Sequence, residues 1–506
     1  MKKKELVVLL LIILVIPLVA QQVPLDARLR GGRIHFQGGR YEKALEQFDL
    51  GLRDFPTSAE ARFWKAIVLE KLGRYVDAAA NFDTTYKNAP EWLEKTVKDP
   101  IFQFSAWNAF LKAGQAMEQN GQYSDAVIFY RRTTVIDPKN PQGFLLLSSV
   151  YSALDSFVEV RKMADALIAL NPNNQQANIL LGMYFFKQAD WDSSLIYYDK
   201  AIAAFTQDWD AVKNLISKEL KLDTVQASLV AAKLIKYRNE RKLETYISDS
   251  LKANSKYMTI AKLTDQLSID EAELNICNLR SGISALQKVN SVVQDSLQKK
   301  YLNIAIDYFY KALHFNPNDF DARYNLGMTY YRAGSDIKAE STFQELVQLS
   351  FISLNTVSEK LSQNLIGLII KDNLSIGYIE VKEPLLEEVE KELTNRVTFT
   401  TGYWYVYFWT FKKSDVLPTE ADANKIYLCS LASVAVENLW LLLGATQVIL
   451  KKYDDAITSF NTVIALSPQN FDAYQNLAVC YREKGDLKKS YEYYQEWDKL
   501  KKAPNK

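Results

Sequence analysis

Two histidines and three cysteines are all the imidazole and thiol that 506 residues supply. His35 and His314 fall in segments that read as helices, and Cys277, Cys429 and Cys480 are widely spaced, with no Cys-x-x-Cys pair. That is too little for a transition-metal site or a histidine-driven nucleophile. No glycine loop for a phosphate, His-Glu-x-x-His pair or alternating-aspartate calcium loop occurs. Glu387, Glu388, Glu390 and Glu392 read as one solvated helix face, and nothing places two carboxylates across a cleft. The expectation is a protein that is not an enzyme, with no catalytic residue, metal or cofactor. Lys and Arg number 61 against 60 Asp and Glu, a net charge of +1 without the basic footprint of a nucleic-acid binder. The odd, scattered cysteines read as buried free thiols.

The N-terminus speaks to location. Lys2, Lys3 and Lys4 precede an uncharged apolar run from Leu6 to Val19, broken by Pro17 before Ala20. Residues 1–20 therefore have the form of a secretory signal peptide. The alternative is an uncleaved anchor, because Leu18 suits a cleavage site poorly. Both leave the lysines inside and carry the remainder across a membrane. The chain is expected outside the cytoplasm, in the periplasm or cell envelope.

The elements that would position any site come from an internal period. Pro56 and Pro90 are 34 residues apart, as are Pro138 and Pro172, and Pro317 and Pro468 close similar segments. The register gives nine units: 25–58, 59–92, 107–140, 141–174, 175–208, 286–319, 320–353, 437–470 and 471–504. Eight residues before the proline position stand Phe48, Phe82, Tyr130, Ala164, Tyr198, Phe309, Phe343, Phe460 and Tyr494. Four residues earlier a small side chain recurs (Ala44, Ala78, Ala126, Val160, Ser194, Ala305, Ala339, Ala456, Ser490). Position eight of each unit is again small, being Gly32, Ala66, Gly114, Ser148, Gly182, Val293, Gly327, Gly444 and Ala478. Small residues let two helices cross closely, and the aromatic fills the wedge between pairs. Gly39, Gly73, Gly121, Gly334 and Gly485 mark where the first helix ends, and the proline ends the second.

These columns resemble the tetratricopeptide repeat family. The resemblance implies an all-α fold, an α–α superhelix of about nine helix pairs in three blocks with helical insertions. Its signature tryptophan at position four is present only as Trp440. The family's use implies a non-catalytic scaffold for protein or peptide partners. Some members clamp a C-terminal carboxylate with lysine and asparagine. Asn325 and Asn476 hold the asparagine place here, but the basic partners are missing, so that ligand is not expected.

A superhelix of helix pairs builds its concave wall from first helices, at positions five, nine and twelve. That wall comprises Phe63, Ile67, Gln115, Glu118, Ser149, Met183, Phe186, Tyr324, Met328, Tyr331, Gln475 and Arg482. Its mixed character suits a peptide or partner helix, although an inserted helix folded into the groove would cover part of it.

Insertions occupy 93–106, 209–285 and 354–436. In the second, Ser268 and Glu271 suggest a capping box opening one helix from about Ile269 to Lys299. In the third, a helix is expected after Pro384 and another from Thr419. Between them, Tyr403, Trp404, Tyr405, Tyr407, Phe408, Trp409 and Phe411 crowd one short segment. A buried helix, a strand or hairpin, and an exposed patch for a partner, a glycan or a peripheral membrane contact all fit 403–411.

Overall fold

Proline and a short polar side chain together set the helix boundaries. The computed structural model describes residues 23–221, 257–350 and 433–502. It also describes the stretches 352–353, 360–361, 363–365, 377–380, 385, 387–389, 405–410 and 424–429. Two residues after the repeat proline, Ser58, Asn140, Asn174, Asp319 and Asn470 accept bonds from first-turn amides at 3.2, 3.0, 2.8, 2.8 and 2.9 Å. Each satisfies a donor that the new helix would leave open. The signal segment 1–20 lies outside the described residues, as does the middle of the second insertion.

The chain divides after Tyr184 into two compact units. In the first, α1 (Leu25–Gln37), α2 (Tyr41–Asp54), α3 (Ala59–Lys71) and α4 (Tyr75–Asn88) form two helix pairs. A short α5 (Pro90–Thr96) follows, then α6 (Pro100–Gln119), α7 (Tyr123–Ile136), α8 (Pro141–Ala153) and α9 (Phe157–Leu170). The next helix, α10 (Gln175–Lys187), runs across the division. The second unit contains α11 (Trp191–Leu220), α12 (Tyr257–Ser291), α13 (Asp295–Phe315), α14 (Phe320–Arg332) and α15 (Asp336–Ser350). It ends with α16 (Ser433–Ile449), α17 (Tyr453–Leu466), α18 (Phe471–Glu483) and α19 (Leu487–Lys502). Among the described residues the repeat units are built of helices, as the columns predict, except that the 320–353 unit ends in a short strand at Ile352–Ser353.

Those columns are the core. Phe48, Phe82, Tyr130, Phe309, Phe343 and Phe460 are fully buried, and so are the alanines four residues before each of them. A Cβ added at Gly32, Gly114, Gly327 or Gly444 would come within 2.4, 2.4, 2.6 or 2.7 Å of the aromatic ring sixteen residues on. These glycines are therefore required by close approach.

One unit departs from the register. Val293 is 98% exposed, and the glycine under Phe309 is Gly282, whose added Cβ would lie 2.5 Å from that ring. The first helix of the 286–319 unit is the end of α12, eleven residues earlier than a strict period places it. At 35 residues α12 is on the order of 52 Å long. It begins upstream of the expected Ile269 and stops at Ser291, short of Lys299. Ser268 and Glu271 consequently lie inside it and form no capping box; Glu271 accepts the Trp209 indole N–H at 3.3 Å. Helix α12 packs between α11 and α13. Ser194 and Ser284 hydroxyls meet at 3.0 Å, Lys288 pairs with Asp192 at 2.6 Å, and Asn275 donates to the Ala312 carbonyl at 3.1 Å.

The third insertion, together with the last two residues of the 320–353 unit, contains the one departure from an all-helical chain among the described residues. Strands β1 (Ile352–Ser353), β2 (Gly377–Glu380), β3 (Tyr405–Thr410) and β4 (Asn424–Cys429) form an antiparallel sheet in the order β1-β4-β3-β2. Tyr405 sits opposite both Glu380 and Cys429. The aromatic run is thus an inner strand over 405–410 and not a buried helix, and β4 replaces part of the helix expected from Thr419. A run of six apolar residues has no periodicity to separate strand from helix, and the β-favouring composition decides. Tyr403, Trp404 and Phe411 lie outside the described residues; after Pro384, Leu385 and Glu387–Val389 are helical.

Outside the α12–α13 pair, the turn inside a pair holds a left-handed residue, which glycine supplies at Gly39, Gly73, Gly121, Gly334 and Gly485. Asp155, Ala189 and Lys451 occupy the same place at φ of 51°, 56° and 58°. L-residues are strained there. Ala189→Gly and Lys451→Gly are each expected to stabilise the chain by about 0.5–1 kcal/mol, read as a higher denaturation midpoint. A loss of stability would show that the strain is absent.

Candidate functional site

The expected wall is only partly a surface. Phe63 and Ile67, each 1% exposed, belong to the core of the first unit. The Phe63 ring lies 5.4 Å from Trp92 and 5.3 Å from Phe102, both carried by the inserted segment around α5 and α6. The first insertion folds over α3 and covers its open face, which removes these two residues from any partner.

Further along the first unit the wall stays open. Position nine of three consecutive repeats is Gln115 on α6, Ser149 on α8 and Met183 on α10. Gln115 and Met183 are half-buried and Ser149 is exposed, while the preceding Gly114, Ser148 and Gly182 are buried. The helices thus present one row inward and the next row outward. Gln115 accepts from Lys112 Nζ at 3.2 Å, and Glu118 is committed to the Tyr130 hydroxyl at 2.7 Å. Burial, then the Glu118 carboxylate, push the Tyr130 hydroxyl well above its ordinary range. Glu118 therefore orders the wedge ring more than it offers charge to a ligand.

In the second unit, Phe186 is half-buried beside Trp191, with ring centroids 5.0 Å apart. Tyr324, Met328 and Tyr331 follow one face of α14, half-buried against the core that also receives Trp440. The Tyr324 ring stacks on Phe320 at 5.9 Å, and burial raises its hydroxyl. Gln475 and Arg482 are exposed on α18, Arg482 paired with Glu483 at 3.0 Å.

Two thiols and one carboxylate are deeply buried. Burial pushes the thiols of Cys277 and Cys480 up to about 12, so neither supplies thiolate at neutral pH. Both are free and buried, as their spacing suggests. Asp270 is fully buried on α12, bonded to Gln266 at 2.8 Å through one oxygen and to nothing through the other. Burial raises its carboxyl. Among the described residues, no three His, Cys, Asp or Glu side chains form a metal-holding group, and no helix is long and apolar enough to cross a membrane.

The capping column after the proline escaped the sequence reading, although Pro-x-Ser/Asn/Asp recurs five times and is a recognisable helix start. Gly282 escaped it too, since a fixed period hides an eleven-residue slip.

Helix pairs stacked with buried small-and-aromatic columns define an α–α solenoid. Models of the tetratricopeptide repeat match residues 25–91, 161–208 and 471–503, and a further TPR repeat model matches 447–485. Over these residues, about a third of the chain, it carries tetratricopeptide repeats, and proteins built from this repeat commonly bind protein partners. Among curated proteins it is 24% identical over 203 residues to human protein O-mannosyl-transferase TMTC3, a match spanning 39% of this chain and 22% of that protein. Among solved structures it is similar to YrrB, a TPR protein with an unusual peptide-binding site (15% identity, 35% of this chain and 84% of that one, TM-score 0.26). A tetratricopeptide repeat protein from Parabacteroides merdae aligns at 8% identity over 68% of this chain and 98% of its own, with a TM-score of 0.27. Likeness of this degree carries nothing about activity or partner.

Proposed function

We propose that the chain is an exported, non-catalytic scaffold that binds an extended peptide or a partner helix along the first-helix wall of residues 107–187. The observation that supports this most directly is the row Gln115, Ser149 and Met183, one accessible side chain per repeat at a fixed step, beside a fully packed row. A repeating ligand backbone can match that step, and the mixture of amide, hydroxyl and thioether suits side chains of moderate polarity.

Panning a random peptide library on the full chain tests the reading. Enriched peptides should lose about tenfold in affinity on Ser149→Arg or Met183→Arg, one tenfold step being about 1.4 kcal/mol. Peptides that bind both variants as tightly as the parent, or no enrichment at all, would remove the wall as the site. Export is tested by fractionating cells that express residues 1–506; retention in the cytoplasm would sink it.

A further inference from the structure

The first insertion does more than cover Phe63. Beside the packed helices α4, α6 and α7 it encloses a cavity of about 370 Å³, roofed by α5 and the residues that follow it. That volume falls within the range of about 300–1,000 Å³ typical of small-molecule sites. Its floor is apolar and rigid, with Phe82 at 0%, Leu93 at 4% and Phe110 at 2% exposure, and Val97 stands half-buried at the side.

The mouth is polar and leans positive. Arg132 on α7 lies over the Tyr86 ring at 4.1 Å and turns its Nε and one terminal nitrogen to Asp83, at 2.8 and 2.7 Å. Asp83 also holds Lys87 at 2.6 Å. Burial acts to raise the Asp83 carboxyl, but the bonds from Lys87 and Arg132 outweigh it and hold the carboxyl below its usual range. The guanidinium is thereby fixed at the cavity edge with its remaining terminal nitrogen unpaired. Lys98 is exposed at the same mouth with no ion pair among the described residues, and Glu94 is the one acidic side chain of the lining. Gln103 donates to the Ile136 carbonyl at 2.8 Å, tying α6 to the end of α7 and stiffening the rim.

We propose that this cavity binds a medium-chain acyl carboxylate, its apolar tail on Phe82, Leu93 and Phe110 and its head group between Arg132 and Lys98. A carboxylate oxygen can take the hydrogen bond that the remaining terminal nitrogen of a pre-positioned guanidinium offers. A neutral alcohol of the same tail forfeits the charged contacts, and a cationic amphiphile meets Lys98 and an Arg132 whose charge Asp83 already offsets, leaving it only Glu94 to pair with.

Calorimetric titration of the full chain with decanoate, decanol and decyltrimethylammonium tests the assignment. Decanoate should bind saturably at one per chain, and decanol at least about tenfold more weakly. Lys98→Gln, at an exposed side chain without partners among the described residues, should weaken decanoate by several-fold, and Val97→Trp should abolish binding by filling the space. Ser149→Arg should leave decanoate binding unchanged, which separates this site from the wall. Decanol binding as tightly as decanoate, binding that survives Val97→Trp, or no saturable binding would each overturn the proposal. So would displacement of decanoate by a short leucine-terminated peptide at lower concentration, which would mark a peptide site.

Discussion

Phe343→Ala is expected to destabilise the second unit by about 3–5 kcal/mol, whereas Tyr494→Ala should change stability by no more than about 0.5 kcal/mol. The two residues occupy the same column. Phe343 is fully buried over Gly327, with the Tyr324 ring at 6.5 Å, so truncation leaves a void that packed helices cannot close. Tyr494, on the last described helix, is 51% exposed. Denaturant unfolding followed by circular dichroism, with hydrogen exchange at α14 and α15, measures both. Similar losses at the two positions would show that the column does not act through burial.

The second large effect comes from the other side of the same contact. Gly114→Val should cost about 1–3 kcal/mol, toward the upper end. Even a bare Cβ there would lie 2.4 Å from Tyr130 Cε1, and the ring is pinned by its 2.7 Å bond to Glu118. It cannot retreat without losing that bond. The chain already shows the compensation, since the next unit carries Ser148 in the column of Gly114 and Ala164 in the column of Tyr130, both buried. Combining Gly114→Val with Tyr130→Ala should therefore cost less than the sum of the single changes in a double-mutant cycle. Additive losses would mean that the two side chains do not compete for one space.

Much of this fold was legible because its determinants are local and periodic. Proline, glycine, a small residue and an aromatic recur at fixed spacing, and each has a steric reason to be where it is. What was not legible had non-local causes. Phe63 and Ile67 carry the right types at wall positions, yet whether they face a partner depends on where a separate insertion folds. Gly282 replaces Val293 because α12 runs on to Ser291 and α13 starts well ahead of Phe309, lengthening both helices of the pair, and only three-dimensional pairing with Phe309 reveals it. Tyr405–Thr410 adopts a strand because two other segments supply backbone partners on either side, which a six-residue window does not contain. Gln115, Ser149 and Met183 follow from the period alone, but the commitment of Glu118 to Tyr130 does not, since that bond joins neighbouring helices.

Helix α12 changes how the second unit can come apart. A plain solenoid sheds its terminal pairs one after another, because each pair touches only its neighbours. Here a single rod leans on α11 and α13 at once, through Ser284, Lys288 and Asn275. The three helices must let go together. Fraying that starts at α19 would run inward pair by pair and then stall at this joint, leaving a protease-resistant middle when the outer repeats have already melted.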